Sequence, residues 1–135
     1  MNSGIPFRAS ELSKPNTSVL LIDDQDYLLW VIKEMLEYEG LDVVVEYSGR
    51  ESIRRVENDP QRFGAVVCDY HMPDLDGIET LRQIREIVPG VHTVLMTGNT
   101  TIRKDNGRMP DHVDDILIKP FKCGELMRCL GLAAS

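Results

Sequence analysis

Five short runs dense in Val, Ile and Leu recur along this chain, and helix-length segments separate most of them. The runs "SVLLI" (18–22), "LDVVVEY" (41–47), "GAVVC" (64–68), "VHTVLM" (91–96) and "DILI" (115–118) read as strands. Between and after them come helical patterns. In "YLLWVIKEMLEYEG" (27–40), Leu28, Val31, Ile32, Met35 and Leu36 share one stripe, and Gly40 is a stop signal. "GRESIRRVEND" (49–59) ends at Pro60. "GIETLRQIREIV" (77–88) spaces Ile78, Leu81, Ile84 and Ile87 three apart. "CGELMRCLGL" (123–132) is the last helix. Continuously apolar strands suit a sheet covered on both faces, and strand–helix alternation makes such a sheet parallel. The expected fold is therefore α/β, a doubly wound five-stranded parallel sheet with helices on both faces.

The segment 99–113 breaks the pattern. It should carry a helix between the fourth and fifth strands, but Gly107 and Pro110 fall in its second half. Ile102, Met109 and Val113 are its sizeable apolar residues. A helix there is expected to be short or irregular, and the segment to be the most mobile part of the domain. Residues 1–16 are polar and broken by prolines, and read as a flexible N-terminal arm ahead of a single domain over 17–135.

Charge and composition narrow the function. A chain of 135 residues with net charge −7 lacks the basic balance needed to coat nucleic acid or an anionic membrane. No apolar run approaches the roughly 20 residues that span a bilayer. The N-terminal stretch has no apolar middle like that of a secretory signal, so a cytoplasmic protein is expected. Cys68, Cys123 and Cys129 form no CxxC pair and no zinc-like spacing with histidine, and read as reduced, mostly buried thiols.

The chemistry collects at the strand ends. Strand one ends in Asp23-Asp24, strand three in Asp69, strand four in Thr97 and strand five in Lys119. In an open parallel sheet these ends face one crevice, where ligands bind. Three carboxylates and one ammonium leave a net charge of −2. Like charges about 4 Å apart repel by roughly 4 kcal/mol at an effective dielectric near 20. A divalent cation cancels that repulsion, and all-oxygen ligands favour Mg²⁺ over Zn²⁺. A carboxylate nucleophile beside a cation, a hydroxyl and an ammonium is suited to phosphoryl transfer.

The pieces "LLIDDQD", "VVCDYHMPDLDG", "VLMTGN" and "ILIKPF" stand in this order at strands one, three, four and five. In this arrangement the chain resembles the receiver domains of two-component response regulators, over about residues 18 to 131. The resemblance implies the flavodoxin-like strand order 2-1-3-4-5. It implies that Asp69 accepts a phosphoryl group from a histidine kinase or a histidine phosphotransfer protein. It further implies that Asp24 binds Mg²⁺ directly, that Asp23 assists, and that the main-chain carbonyl of His71 is a further ligand. Thr97 and Lys119 are expected on the phosphoryl oxygens, and Lys119-Pro120 is expected to be cis. Asp74 and Asp76 read as loop and helix-cap residues.

The chain departs from the pattern of the family it resembles in one respect. Many receivers carry Tyr or Phe three residues before the lysine, and here Ile116 stands in that place. A ring that swings inward is therefore lacking, and the expectation is that segment 99–113 supplies the switch. His71 and Asn99 occupy positions that tune phosphoryl lifetime in the family. With one helix after strand five, output is expected through an unknown downstream protein rather than direct nucleic-acid binding, from a monomer or weak dimer. Alternatively, the Thr97-Gly98 pair and the frayed fourth helix resemble the receivers of hybrid histidine kinases, and the chain is then a receiver cut from one, with 1–16 a linker remnant.

Two other classes compete. A haloacid-dehalogenase-type phosphatase would place its nucleophile on strand one, where Asp24-Gln25-Asp26-Tyr27-Leu28 offers two aspartates but not the closing residue of that motif. A non-phosphorylated interaction module would not need the full set of five residues. Patterns for nucleotide binding and serine hydrolysis are missing from the sequence.

Overall fold

The computed structural model describes Leu12 and residues 17–99, 102 and 109–132. Five strands, β1 (Ser18–Ile22), β2 (Asp42–Glu46), β3 (Phe63–Asp69), β4 (His92–Thr97) and β5 (Asp115–Ile118), form one sheet. Its order is β2-β1-β3-β4-β5 and every pairing is parallel. This is the expected order, and it puts the C-terminal ends of β1 and β3 side by side at the centre.

Four helices cover the sheet: α1 (Asp26–Tyr38), α2 (Gly49–Asn58), α3 (Gly77–Ile87) and α4 (Cys123–Cys129). Alternate residues of the strands feed two separate cores, as the period of two requires. Val19, Leu21, Ala65, Val67, Val94 and Met96 pack against α1 and α4. Leu20, Ile22, Val66, Cys68 and Leu95 pack against α2 and α3. Both faces are thus buried, which is why the strands lack a polar side.

Two local details differ from the sequence reading. Helix α1 is turned so that Leu29, Ile32 and Leu36 are buried while Val31 is exposed, so the inward stripe is centred one step from the expected one. Helix α4 stops at Cys129 rather than at 132. Gly131 has φ 72, its N–H bonds Arg128 O at 2.9 Å, and Leu132 N bonds Met127 O at 2.8 Å. That is a Schellman closure, which uses glycine's left-handed freedom to satisfy the last carbonyls. The expected arm 1–16 lies outside the described residues except for Leu12. Leu12 is only 2% exposed and packs in the α1–α4 core, so the chain is anchored there.

The helix expected within 99–113 falls largely outside the described residues. Ile102 lies in a 3-10 turn and packs, half-buried, against the α2–α3 core, and Val113 is buried there too. The Lys119–Pro120 peptide is cis, as expected.

Candidate functional site

Asp69 is the last residue of β3 and is 5% exposed. The backbone fixes its place. Tyr70 N donates to Met96 O at 2.8 Å, tying the residue after Asp69 to β4. Gly77 N donates to Tyr70 O at 2.9 Å, closing the loop that follows. A Cβ on Gly77 would overlap the main-chain carbonyl oxygen of Asp69 and lie 2.7 Å from Leu95 Cδ1. Glycine at this position lets the start of α3 rest directly on the Asp69 peptide.

Asp23 follows β1 and is fully buried. Its amide donates to Glu46 O at 3.2 Å, and its carboxylate accepts from Gln25 N at 3.0 Å. Asp24 beside it is exposed. One carboxylate oxygen from each of Asp23, Asp24 and Asp69 lies within 4.8 Å of the other two. Lys119 reaches over this cluster from the end of β5. Its Nζ lies 2.7 Å from Asp69 Oδ1 and 3.2 Å from Asp23 Oδ2.

The electrostatics follow from that crowding. Burial pushes the Asp23 carboxyl up, the Asp69 charge adds to this, and the Gln25 amide and Lys119 pull the other way without cancelling it. For Lys119, burial alone would lower the ammonium, but the bond to Asp69 and the charge of Asp23 outweigh it and raise the group. Cys68 points into the opposite core, where burial drives its thiol well above the ordinary range. It is a packing residue, as expected. Cys129 is buried as well, and Cys123 is exposed.

Thr97 ends β4 and is buried. Its carbonyl accepts from Lys119 N at 2.8 Å, so the strand pairing itself sets these two residues together. Its Oγ1 accepts from Asn99 N at 3.0 Å, which leaves the hydroxyl proton to donate. Among the described residues its hydroxyl makes no direct bond to the carboxylates. The His71 imidazole is not part of the carboxylate cluster. It is exposed, with its ring edge-on to Tyr70 at a centroid distance of 4.7 Å. Ile116 is buried in the α2–α3 core, in the place where an aromatic ring was sought.

A closed set of hydrogen bonds frames the loop between β3 and α3. Asp76 caps α3, its carboxylate accepting from Glu79 N at 2.8 Å. Asp74 accepts from Gly49 N at 3.2 Å and from Arg50 N at 2.8 Å, the first two amides of α2. The sequence reading found these as cap and loop residues, but not that Asp74 caps a different helix. That bond spans 25 residues and has no local signal.

The donor set fits a hard divalent cation. Three carboxylates converge with one ammonium, so the cluster is net anionic, and its ligand atoms are oxygens. Asp26, which a strand-one phosphatase motif would need beside Asp24, is the first residue of α1 and stands outside the carboxylate cluster.

The profile of the response regulator receiver domain matches residues 19–130. The chain belongs to this family. Among curated relatives, the transcriptional regulatory protein TrcR of Mycobacterium tuberculosis is 35% identical over 81% of this chain. The transcriptional regulatory protein ZraR of Escherichia coli is 28% identical over 88% of the chain. The chain spans 42% of the first and 26% of the second. Among solved structures, a response regulator receiver domain protein from Clostridium thermocellum superposes with a TM-score of 0.77 at 28% identity. That match covers 85% of this chain and 91% of that one. The chemotaxis response regulator CheY4 of Vibrio cholerae has the same fold, with a TM-score of 0.75 at 23% identity over 85% of this chain and 96% of its own. This receiver domain is thus a signalling domain of the two-component type. No described helix is long and apolar enough to cross a membrane.

Proposed function

We propose that this receiver domain accepts a phosphoryl group on Asp69 from a phosphohistidine of a histidine kinase or phosphotransfer protein. The observation that carries the reading is the placement of Lys119 Nζ, 2.7 Å from Asp69 and 3.2 Å from Asp23, over three converging carboxylates. A carboxylate oxygen of Asp69 attacks phosphorus as the bond from phosphorus to the histidine nitrogen breaks. The imidazole keeps that electron pair and takes a proton from water. Lys119 turns its ammonium from the Asp69 carboxylate to the incoming phosphoryl oxygens, and the Thr97 hydroxyl donates to one of them. Asp23, Asp24, Asp69 and the His71 carbonyl would hold Mg²⁺, which supplies the charge neutralisation that phosphoryl transfer requires. Later attack by water on phosphorus breaks the acyl phosphate and restores the carboxylate. The domain thus assists its own phosphorylation and dephosphorylation without acting as a conventional enzyme.

The face beside the site supports a protein donor. Tyr27, Trp30, Val31 and Tyr38 are 83%, 60%, 38% and 89% exposed and share one outward stripe of α1. The stripe starts three residues after Asp24, so a donor seated on it presents its histidine to the carboxylate cluster. Aromatic side chains of this kind anchor protein interfaces. Output runs through changed contacts with a downstream protein. The longer relatives are named as transcriptional regulators, but a net charge of −7 opposes direct contact of this domain with nucleic acid. Cys68, Cys123 and Cys129 form no CxxC pair, and we place the reaction in the cytoplasm.

Intact-mass analysis after incubation with acetyl phosphate and Mg²⁺ tests the reading. One added phosphoryl group, lost in Asp69→Asn and in EDTA, is expected. An adduct that persists in Asp69→Asn places the acceptor elsewhere. Failure to form any adduct, together with failure to bind beryllofluoride, overturns phosphoryl acceptance.

A further inference from the structure

Helix α2 takes part of its N-terminal cap from outside itself. The first amides of a helix have no partner within it, and they are met by side chains or water. Here Ser48 Oγ accepts from Glu51 N at 3.2 Å in the usual way. The Gly49 and Arg50 amides instead donate to the two carboxylate oxygens of Asp74, at 3.2 and 2.8 Å. Asp74 sits at the crown of the loop that leads from Asp69 to α3. The base of that loop is closed by the Tyr70 and Gly77 amide bonds, and its far end is capped by Asp76. The crown is pressed close against α2. A Cβ on Gly49 would overlap Thr80 Oγ1 and lie 3.0 Å from Leu75 Cβ.

We propose that Asp74 is a positioning residue for cation binding: by clasping the first two amides of α2, it sets the height of the loop that carries the His71 main-chain carbonyl. The inference rests on the phosphoryl-acceptor reading above. The physical reason is leverage. His71, Met72 and Pro73 run between a fixed base at Tyr70 and the clasp at Asp74. Freeing the clasp lets this span drift, and the His71 carbonyl with it. Asp23, Asp24 and Asp69 sit on strand ends and are not displaced. Loss of Asp74 therefore weakens the cation site through one ligand, without dismantling it. Groups that orient metal ligands in this indirect way typically change affinity by 10- to 100-fold.

The test is Mg²⁺ titration calorimetry on the full chain, with Asp74→Ala and Asp74→Asn compared with the natural sequence at a temperature where all are folded. Asp74→Ala is expected to bind Mg²⁺ about 10-fold more weakly. Asp74→Asn keeps an acceptor oxygen and is expected to recover part of the loss. Phosphorylation of Asp74→Ala by acetyl phosphate should approach the natural rate once Mg²⁺ is saturating. A role confined to fold stability predicts lower urea midpoints with unchanged Mg²⁺ affinity, and that result overturns the proposal. If Asp74→Ala does not fold, unchanged Mg²⁺ affinity in Asp74→Asn overturns it equally. The two readings fail differently. A natural chain that is phosphorylated on Asp69 while both variants bind Mg²⁺ normally removes only the role of Asp74. A natural chain that neither binds Mg²⁺ nor takes the phosphoryl group removes both.

Discussion

Lys119 Nζ stands 2.7 Å from Asp69 Oδ1, so the Asp69 carboxylate is held by an ammonium that also touches Asp23 at 3.2 Å. The lysine neutralises two carboxylates that a divalent cation would also need. Lys119→Ala is expected to slow phosphoryl capture on the order of 10²-fold, the usual loss for a donor aimed at developing negative charge. The same substitution removes a cation that competes for the carboxylates, so Mg²⁺ affinity should rise. Calorimetry and acetyl phosphate kinetics on one preparation check both signs. Weaker Mg²⁺ binding in the variant would count against the competition argument.

The pH dependence of Lys119 has a definite sign. Its ammonium is raised above the ordinary 10.5, because the Asp69 bond and the Asp23 charge outweigh burial. A raised group stabilises the fold below its unfolded value and loses that contribution as pH climbs through the folded one. The urea midpoint of the natural chain is therefore expected to fall above about pH 10.5, by more than that of Lys119→Ala. Parallel alkaline declines in the two proteins would remove Lys119 as the cause.

Asp23 is charged at a price to the empty protein. It is fully buried, and its carboxyl is pushed up by burial and by the Asp69 charge. Asp23→Asn is expected to stabilise the cation-free domain by about 1 kcal/mol, or roughly 3–4 °C in Tm at this chain length. It should also remove most of the stabilisation that Mg²⁺ is expected to give the natural chain, about 2.7 kcal/mol at 100 times Kd. Thermal melts with Mg²⁺ and with EDTA read both effects. A variant that melts lower than the natural chain in EDTA would show that the site is not strained by its charge.

The architecture was legible because both of its signals are periodic. Continuous Val, Ile and Leu runs marked buried parallel strands, and the carboxylates, Thr97 and Lys119 announced themselves by standing where those runs stop. What escaped was non-local or rotational. The rotation of α1 was misjudged because Leu28, Leu29, Val31 and Ile32 are all apolar, so several stripes fit the sequence and only packing selects Leu29 over Val31. The Asp74 clasp joins residues 25 apart in sequence, and neither Asp74 nor Gly49 carries a local mark of the other. Gly77 was read as the start of a helix, although glycine at a helix start does not by itself announce contact with the Asp69 carbonyl. Leu12 lies in a polar stretch, and nothing local in the sequence marks its burial in the α1–α4 core.

Gly77 makes that contact testable. A Cβ there overlaps the Asp69 carbonyl oxygen and crowds Leu95 Cδ1 at 2.7 Å and Tyr70 Cα at 2.9 Å. Backbone is among the obstacles, so the strain cannot be relieved by a side-chain turn alone. Gly77→Ala is expected to destabilise by about 1–3 kcal/mol, the range for overpacked sites. It should also displace Asp69, so that phosphoryl acceptance falls even in the fraction that remains folded. Urea melts and intact-mass yields, measured together, separate the two effects. Full phosphoryl acceptance in folded Gly77→Ala would show that α3 does not hold the acceptor in place.

The exposed stripe on α1 distinguishes a small donor from a protein donor. Trp30 is 60% exposed, with Lys33 Nζ 5.8 Å from its ring centroid, and it lies outside the carboxylate cluster. Acetyl phosphate needs only the cluster, whereas a histidine-bearing protein must also be seated. Trp30→Ala should therefore leave acetyl phosphate labelling and the urea midpoint near those of the natural chain. Transfer from a phosphorylated histidine phosphotransfer protein at sub-saturating concentration should fall roughly 10-fold or more, as for a central aromatic anchor. Raising the donor concentration should restore the rate, because the lost contact is one of binding and the reacting atoms are untouched. Equal loss with both donors would mean that Trp30 supports the site itself, and no loss with either would move the docking surface off α1.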